Sequence, residues 1–144
     1  MSGPSSSSKP EPSIEIQPEQ FVALSADERT TPVVMLNLVK YRAEAADGDG
    51  TGLDAYLRYS RGFVPLLKAC GGTILWAGDV TGVALGDDAA DDWDYAVLVQ
   101  YPSRAAFVEV MTSAEYAAIN PHRLAGLRKH IILPVSETYS KFAG

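Results

Sequence analysis

Val33 to Val39 (VVMLNLV) is almost wholly apolar and β-branched at its start. A run that is apolar on both faces predicts a central strand covered on both sides. Trp93 to Tyr101 (WDYAVLVQY) is a second run of the same kind. Between them Leu53, Tyr56, Leu57, Ser60, Phe63, Val64 and Leu67 recur at helical spacing. Thr51 can cap that helix, with Asp54 in the capping-box position, and Gly71-Gly72 supplies a left-handed stop. Pro65 lies inside it and is expected to kink or restart it. Thr73 to Leu85 reads as a strand interrupted near Gly78-Asp79 by a bulge or bend. Gly86 to Asp92 is an acidic turn. Ser103 caps a helix holding Ala106, Phe107, Val110 and Met111, and Ser113 caps another with Tyr116 and Ile119. Pro121 is expected to interrupt this last helix, which resumes to about Lys129. Ile131 to Val135 is the final strand, and Pro134 demotes it to a sheet edge. Ahead of all these, Pro18 opens a short helix through about Ala26 that carries Phe21, Val22 and Leu24.

After the leading helix the order is β-α-β-β-α-β, the ferredoxin-like split βαβ arrangement. The expected class is α+β, with one four-stranded antiparallel sheet and helices on one face. In that sheet order the first and third strands are central and the last is an edge, which matches the two most apolar strands and the position of Pro134. The other sheet face is then apolar and uncovered, so a homodimer with two sheets packed together follows physically. Residues 1–17 are expected to be a disordered tail, beginning with the serine- and proline-rich MSGPSSSSKPEPS. Residues 18–31 form the extra N-terminal helix and linker, 32–138 the α+β domain, and 139–144 a C-terminal tail.

Composition narrows the function classes. The 144 residues, 47% apolar and 21% charged, make one globular domain. Cys70 is the single cysteine, which excludes an internal disulfide and any multi-cysteine metal site. A net charge of −6 argues against a nucleic-acid partner bound through phosphates. No apolar run approaches the ~18 residues that a membrane span needs, and the N-terminus has no apolar core of a secretion signal. The cytoplasm is the default compartment.

Four stretches carry a resemblance. PVVMLNLVKYR (Pro32 to Arg42), YLRYSRGFVPLLKACGGTILWAG (Tyr56 to Gly78), WDYAVLVQYPSRAAFVEVMTSAEY (Trp93 to Tyr116) and HRLAGL (His122 to Leu127) resemble the family called domain of unknown function 1330. The resemblance runs from Pro18 to Val135. It implies a dimeric α/β barrel. That superfamily includes cofactor-free quinone-forming monooxygenases, lactone isomerases, haem-handling proteins and proteins without known activity, so the fold supplies no reaction by itself.

Asn37 is an amide among Val33, Met35 and Val39 on its own strand face. It is either bonded to a neighbouring loop or helix end, or it is a pocket-floor donor for a substrate carbonyl or oxyanion. Tyr56 and Tyr59 sit three apart on one helix and share a face, as core residues or as cavity-lining hydroxyls. Trp76, Trp93 and Tyr95 line the sheet, with the tryptophans as core or dimer-interface residues or, for Trp76, as an aromatic wall for a flat ligand. Asp94 is a candidate base if desolvated, or a strand-end carboxylate paired with an arginine. His122 and Arg123 form the sharpest chemical pair, a proton carrier beside a carboxylate clamp, within a basic patch that includes Arg128, Lys129 and His130. The alternative is charge complementing a helix dipole.

Other motifs fail. DGDGTG (Asp47 to Gly52) starts like a calcium loop, but its twelfth position is Arg58 rather than glutamate. No metal or cofactor is expected. Two functions compete. One is a cofactor-free isomerase or monooxygenase-like enzyme acting on a small aromatic or carboxylate ligand, with His122 and Asn37 catalytic and Arg123, Tyr56, Tyr59, Trp76 and Asp94 binding. The other is a non-catalytic metabolite-binding or dimerisation module.

Overall fold

The structure is a computed structural model that describes residues 13–141. Most of the expected N-terminal tail, and the last three residues of the C-terminal one, lie outside the described residues. The elements run α1 (Pro18–Ser25), β1 (Val33–Tyr41), α2 (Gly52–Ala69), β2 (Thr73–Asp79), β3 (Tyr95–Tyr101), α3 (Arg104–Met111), α4 (Ala114–Gly126) and β4 (Leu127–Val135). The sheet order is β2-β3-β1-β4, and every neighbouring pair is antiparallel. This is the expected α+β, ferredoxin-like arrangement, with β1 and β3 central and Pro134 on an edge strand.

Local chemistry sets the helix ends. Thr51 and Asp54 form a reciprocal capping box at the start of α2. At its end, Gly71 takes φ +85° and donates to the Lys68 carbonyl, while Gly72 donates to the Leu67 carbonyl. Those two bonds make a Schellman stop that only glycine enters without strain. Ser103 and Ser113 cap α3 and α4.

Neither a restart at Pro65 nor an interruption at Pro121 occurs. α2 runs unbroken through Pro65, and α4 runs unbroken through Pro121. Both prolines sit on the exposed side of their helices, where water can take up the carbonyl each one frees. A further correction concerns the end of α4. It stops at Gly126 rather than near Lys129, and residues 127–130 already belong to β4.

The stop at Gly126 has a packing cause. A side chain there would meet the Gly52 carbonyl at 2.6 Å and the Tyr56 amide at 2.8 Å, and Arg42 donates its N–H to the Gly126 carbonyl at 2.8 Å. The α4–β4 junction therefore lies directly on the first turn of α2. β4 then pairs along β1 from Tyr41 opposite Leu127 to Val34 opposite Val135, with one extra residue of β4 between Leu127 and Lys129.

The helices cover one sheet face. Val33, Met35, Val97, Val99 and Tyr101 are buried against Leu67, Phe107, Met111 and Tyr116. α1 joins this layer through Phe21, whose ring meets Phe107 edge-on at 5.7 Å.

Gly126→Ala is expected to destabilise the fold by about 1–3 kcal/mol through overpacking against backbone that cannot yield. Gly82→Ala, where nothing lies within 4 Å of an added methyl, should be near neutral. Urea unfolding of the two variants checks this; equal stabilities would show that the junction is not close-packed.

Candidate functional site

Between the helix-facing side of the sheet and α2 lies a cavity of about 400 Å³. Its floor comes from the alternate residues of the strands, Asn37 and Tyr41 on β1, Tyr95, Val97 and Val99 on β3, and His130 and Ile132 on β4. Its roof comes from α2, which turns Tyr56, Tyr59, Ser60 and Phe63 inward. Most of the wall is aromatic or aliphatic, the composition of a small-molecule pocket rather than of a surface groove.

The polar groups of the floor are joined in one chain. Arg123 on α4 is 4% exposed. Its Nε donates to Asn120 Oδ1 at 2.8 Å, and one terminal nitrogen donates to the Ile14 carbonyl at 2.6 Å. Its other terminal nitrogen lies 3.1 Å from His130 Nδ1. A guanidinium can only donate, so Nδ1 must carry the lone pair and Nε2 the proton. Nε2 lies 3.0 Å from Asn37 Oδ1, which accepts that proton's hydrogen bond. The amide orientation agrees, because Asn37 Nδ2 donates to the Met35 carbonyl at 3.2 Å. Asn37 Nδ2 has a second hydrogen, and Asn37 lines the cavity.

Burial, and then the Arg123 charge, push the His130 imidazole down to about 3. It is neutral at ordinary pH and acts as a fixed relay. Positive charge on Arg123 polarises the ring, the ring polarises the Asn37 amide, and each bond in such a chain strengthens the next. The free Asn37 N–H is thereby a stronger donor toward an oxygen in the cavity.

The phenols of the site are held protonated. Tyr59 and Tyr116 share a hydrogen bond of 3.0 Å, and burial raises both hydroxyls. Burial also raises Tyr56, and raises Tyr41 to about 12 with help from Tyr95, Asp79 and Asp94. Tyr41, Tyr56, Tyr95 and the Asp79 carboxylate mark the end of the cavity away from Arg123.

The family model described as Domain of unknown function (DUF1330) matches residues 40–134. The chain belongs to the DUF1330 family. The DUF1330 chain is 32% identical to a protein of unknown function from Rhodopseudomonas palustris, with 88% of this chain and 98% of that one covered and a TM-score of 0.81. A hydroxynitrile lyase from Passiflora edulis shares the fold at 16% identity and a TM-score of 0.55, covering 78% of this chain and all of that one. So does a dimeric ferredoxin-like protein of unknown function from Thermobifida fusca, at 12% identity and a TM-score of 0.50, covering 76% of this chain and 93% of that one. No curated protein matches the chain.

Of the residues singled out in the DUF1330 sequence, the structure brings Asn37, Tyr56 and Tyr59 to the cavity wall and sets Arg123 behind it through His130. It does not bring the other three there. His122 stands one residue from Arg123 on an unbroken helix, so it points elsewhere, and its Nδ1 accepts from Arg58 Nε at 3.3 Å. Arg58, the residue that spoiled the calcium-loop pattern, also holds Asp47 at 2.9 Å. Trp76 is paired with Leu98 on the opposite sheet face and is 48% exposed. Asp94 precedes β3, accepts from the Tyr41 N–H at 2.8 Å and pairs with Lys40 at 3.3 Å. Half-buried Cys70 donates its thiol to the Leu67 carbonyl. Sequence reasoning had placed His130 in a basic patch, not in the site. The signal for it was Gly126, a helix stop that starts the strand early enough for His130 to face the helices.

The pH dependence of stability follows from His130. Above the ordinary histidine value of 6.5 the ring is neutral whether the chain is folded or unfolded. As pH falls from 6.5 toward 3 the unfolded chain takes up a proton and the folded one does not, so stability is lost. Each pH unit in that window costs up to about 1.4 kcal/mol. His130→Gln should therefore lose about 2 kcal/mol less than the parent between pH 7 and pH 4.5, by urea unfolding. Equal losses would show that His130 titrates like an exposed histidine.

Proposed function

We propose that the protein binds a small, flat, mainly apolar molecule in this cavity and stabilises negative charge on one of its oxygens through the Asn37 amide. The observation that carries this reading is the chain Arg123–His130–Asn37, a buried positive charge relayed by a neutral imidazole to a donor on an apolar wall. Donors fixed in place before charge develops stabilise an enolate or phenolate far better than mobile water does. Proton-transfer isomerisation and cofactor-free oxygenation of an activated aromatic both pass through such an anion. The hydroxynitrile lyase, which shares the fold alone, is an example of small-molecule chemistry carried on this fold.

A second reading, storage or presentation of the molecule without chemistry, is favoured by one feature. Among the described residues no group around Asn37 is ready to take a proton, because His130 Nδ1 is engaged by Arg123 and, on the helices above, the Tyr59 and Tyr116 hydroxyls are engaged with each other.

The protein's working form is proposed to be a homodimer. Rows of residues facing away from the helices, including Trp76–Leu98–Leu36–Leu133 across the four strands, make an apolar sheet face. Trp76, Ile131 and Leu133 on it are 48%, 39% and 41% exposed. A contiguous apolar patch of this kind on a small domain marks an interface, and the Thermobifida fusca protein of the same fold is dimeric. Among the described residues no helix is long and apolar enough to cross a membrane.

The charge-stabilising role is tested with 4-nitrophenol, whose phenolate absorbs visible light. Binding should lower its apparent pKa by about one unit, worth about 1.4 kcal/mol, and Asn37→Ala should abolish the shift. A bound pKa that is unchanged or raised would sink the oxyanion role. Catechols, hydroquinones and lactones then separate enzyme from store: turnover lost in Asn37→Ala supports the first, and ligand-dependent thermal stabilisation without turnover the second. For assembly, sedimentation should give a dimer at micromolar concentration, and Leu133→Glu should give a folded monomer. A stable monomer of the unaltered chain would refute the interface.

A further inference from the structure

The cavity has a second polar end that the oxyanion reading leaves unused. Asp79 closes β2, opposite Tyr95 on β3, and both line the cavity. Three tyrosine rings gather there at differing tilts. Tyr56 meets Tyr41 at 5.6 Å and 53°, and Tyr95 at 6.4 Å and 69°.

The carboxylates nearby are already occupied, with one exception. Asp94 and Asp92 both pair with Lys40. The Asp79 side chain makes no ion pair or hydrogen bond with another described residue. Behind the far end of the floor the charge is positive and buried on Arg123, which does not line the cavity and whose three nitrogens point to Asn120, His130 and the Ile14 carbonyl. That position behind the wall leaves Arg123 poorly placed to clamp a ligand carboxylate. The cavity is therefore polarised, with a hydrogen-bond donor backed by a cation at one end and, at the other, an exposed carboxylate at the rim beside aromatic rings.

Resting on the oxygen-binding reading of Asn37, we propose that Asp79 with Tyr41, Tyr56 and Tyr95 takes a protonated amine, so that the ligand is a compact aryl-alkylamine carrying a phenol or carbonyl oxygen. Rings around a cation attract it through their negative faces, and an adjacent carboxylate adds a charge-assisted hydrogen bond. The register sets the length. Asn37 and Asp79 are two strands apart across the sheet and offset by one cross-strand row on the same face. With strands ~4.8 Å apart and ~3.4 Å per residue, their Cα atoms stand about 12 Å from each other. Side chains stand roughly perpendicular to a sheet, so the polar ends of Asn37 and Asp79 keep about that separation, and hydrogen bonds of about 2.8 Å at both ends leave about 6–7 Å between the ligand's own polar atoms. A phenol with a two-carbon ammonium arm has that span.

The experiment is calorimetric titration of the full chain with tyramine, 4-ethylphenol and 4-hydroxyphenylacetate, which share a ring and differ in the charge of the arm. Tyramine should bind about tenfold more tightly than 4-ethylphenol, and 4-hydroxyphenylacetate more weakly than either. Asp79→Asn should erase the tyramine advantage while leaving 4-ethylphenol unchanged, and Asn37→Ala should weaken both. If 4-ethylphenol binds but tyramine has no advantage, or if the advantage survives in Asp79→Asn, the cation end is refuted and the oxygen site stands. If neither phenol binds, the pocket reading falls and the amine proposal falls with it.

Discussion

A guanidinium keeps its charge at any pH a protein meets, so burying Arg123 obliges its surroundings to answer that charge. Removing one ion from water costs several kcal/mol unless it is compensated. Among the described residues the compensation is dipolar: an amide oxygen, a backbone carbonyl and an imidazole lone pair. That choice has consequences a carboxylate would not have. A carboxylate would cancel the charge, whereas dipoles leave its field in place and hand it on. His130 is driven neutral, its tautomer is dictated, and the Asn37 amide is turned one way only. The chemistry proposed for the cavity depends on this one uncancelled charge.

The sheet then turns a charge into a position. His130, Val39, Tyr95 and Asp79 fall in one cross-strand row on the helix-facing side. The imidazole that backs the donor and the carboxylate thus stand on opposite edge strands, while the donor itself, Asn37, is on β1 with β3 between it and Asp79. β4 reaches its place only because Gly52 and Gly126 let α4 end on top of α2. A methyl group at Gly126 would move the strand that carries His130, so a residue with no polar side chain governs the polar chain. Stability and site geometry are linked at that junction.

Much of this fold is legible in the sequence, and the failures have particular causes. The two apolar runs gave β1 and β3, the capping residues gave the helix starts, and Pro134 gave the edge. Pro65 and Pro121 did not break their helices because exposure, which a sequence does not display, decides whether a freed carbonyl is tolerated. Trp76 illustrates register. Ile74 faces the cavity, and simple alternation would put Trp76 beside it. The irregularity between Ile74 and Trp76, placed earlier than the expected break near Gly78, turns Trp76 to the far face. A slip of one residue moves every later side chain across the sheet. His122 and Arg123 show the helical counterpart: neighbours in sequence, about 100° apart around the axis, one serving the site and the other bracing Arg58.

The two faces of the sheet need not compete. The cavity draws on alternate residues of the strands, and the apolar outer face draws on the residues between them. A second copy seated on the outer face would add no side chain to the cavity, since the sheet itself lies between. What it would add is rigidity. The relay bond from His130 to Asn37 joins an edge strand to its neighbour, and an edge strand with one covered face frays more readily than one clamped on both. Holding β4 flat against a partner would keep that 3.0 Å bond at its length without touching it. Assembly and ligand binding would then be coupled through the stiffness of one strand, with each protomer retaining a complete site.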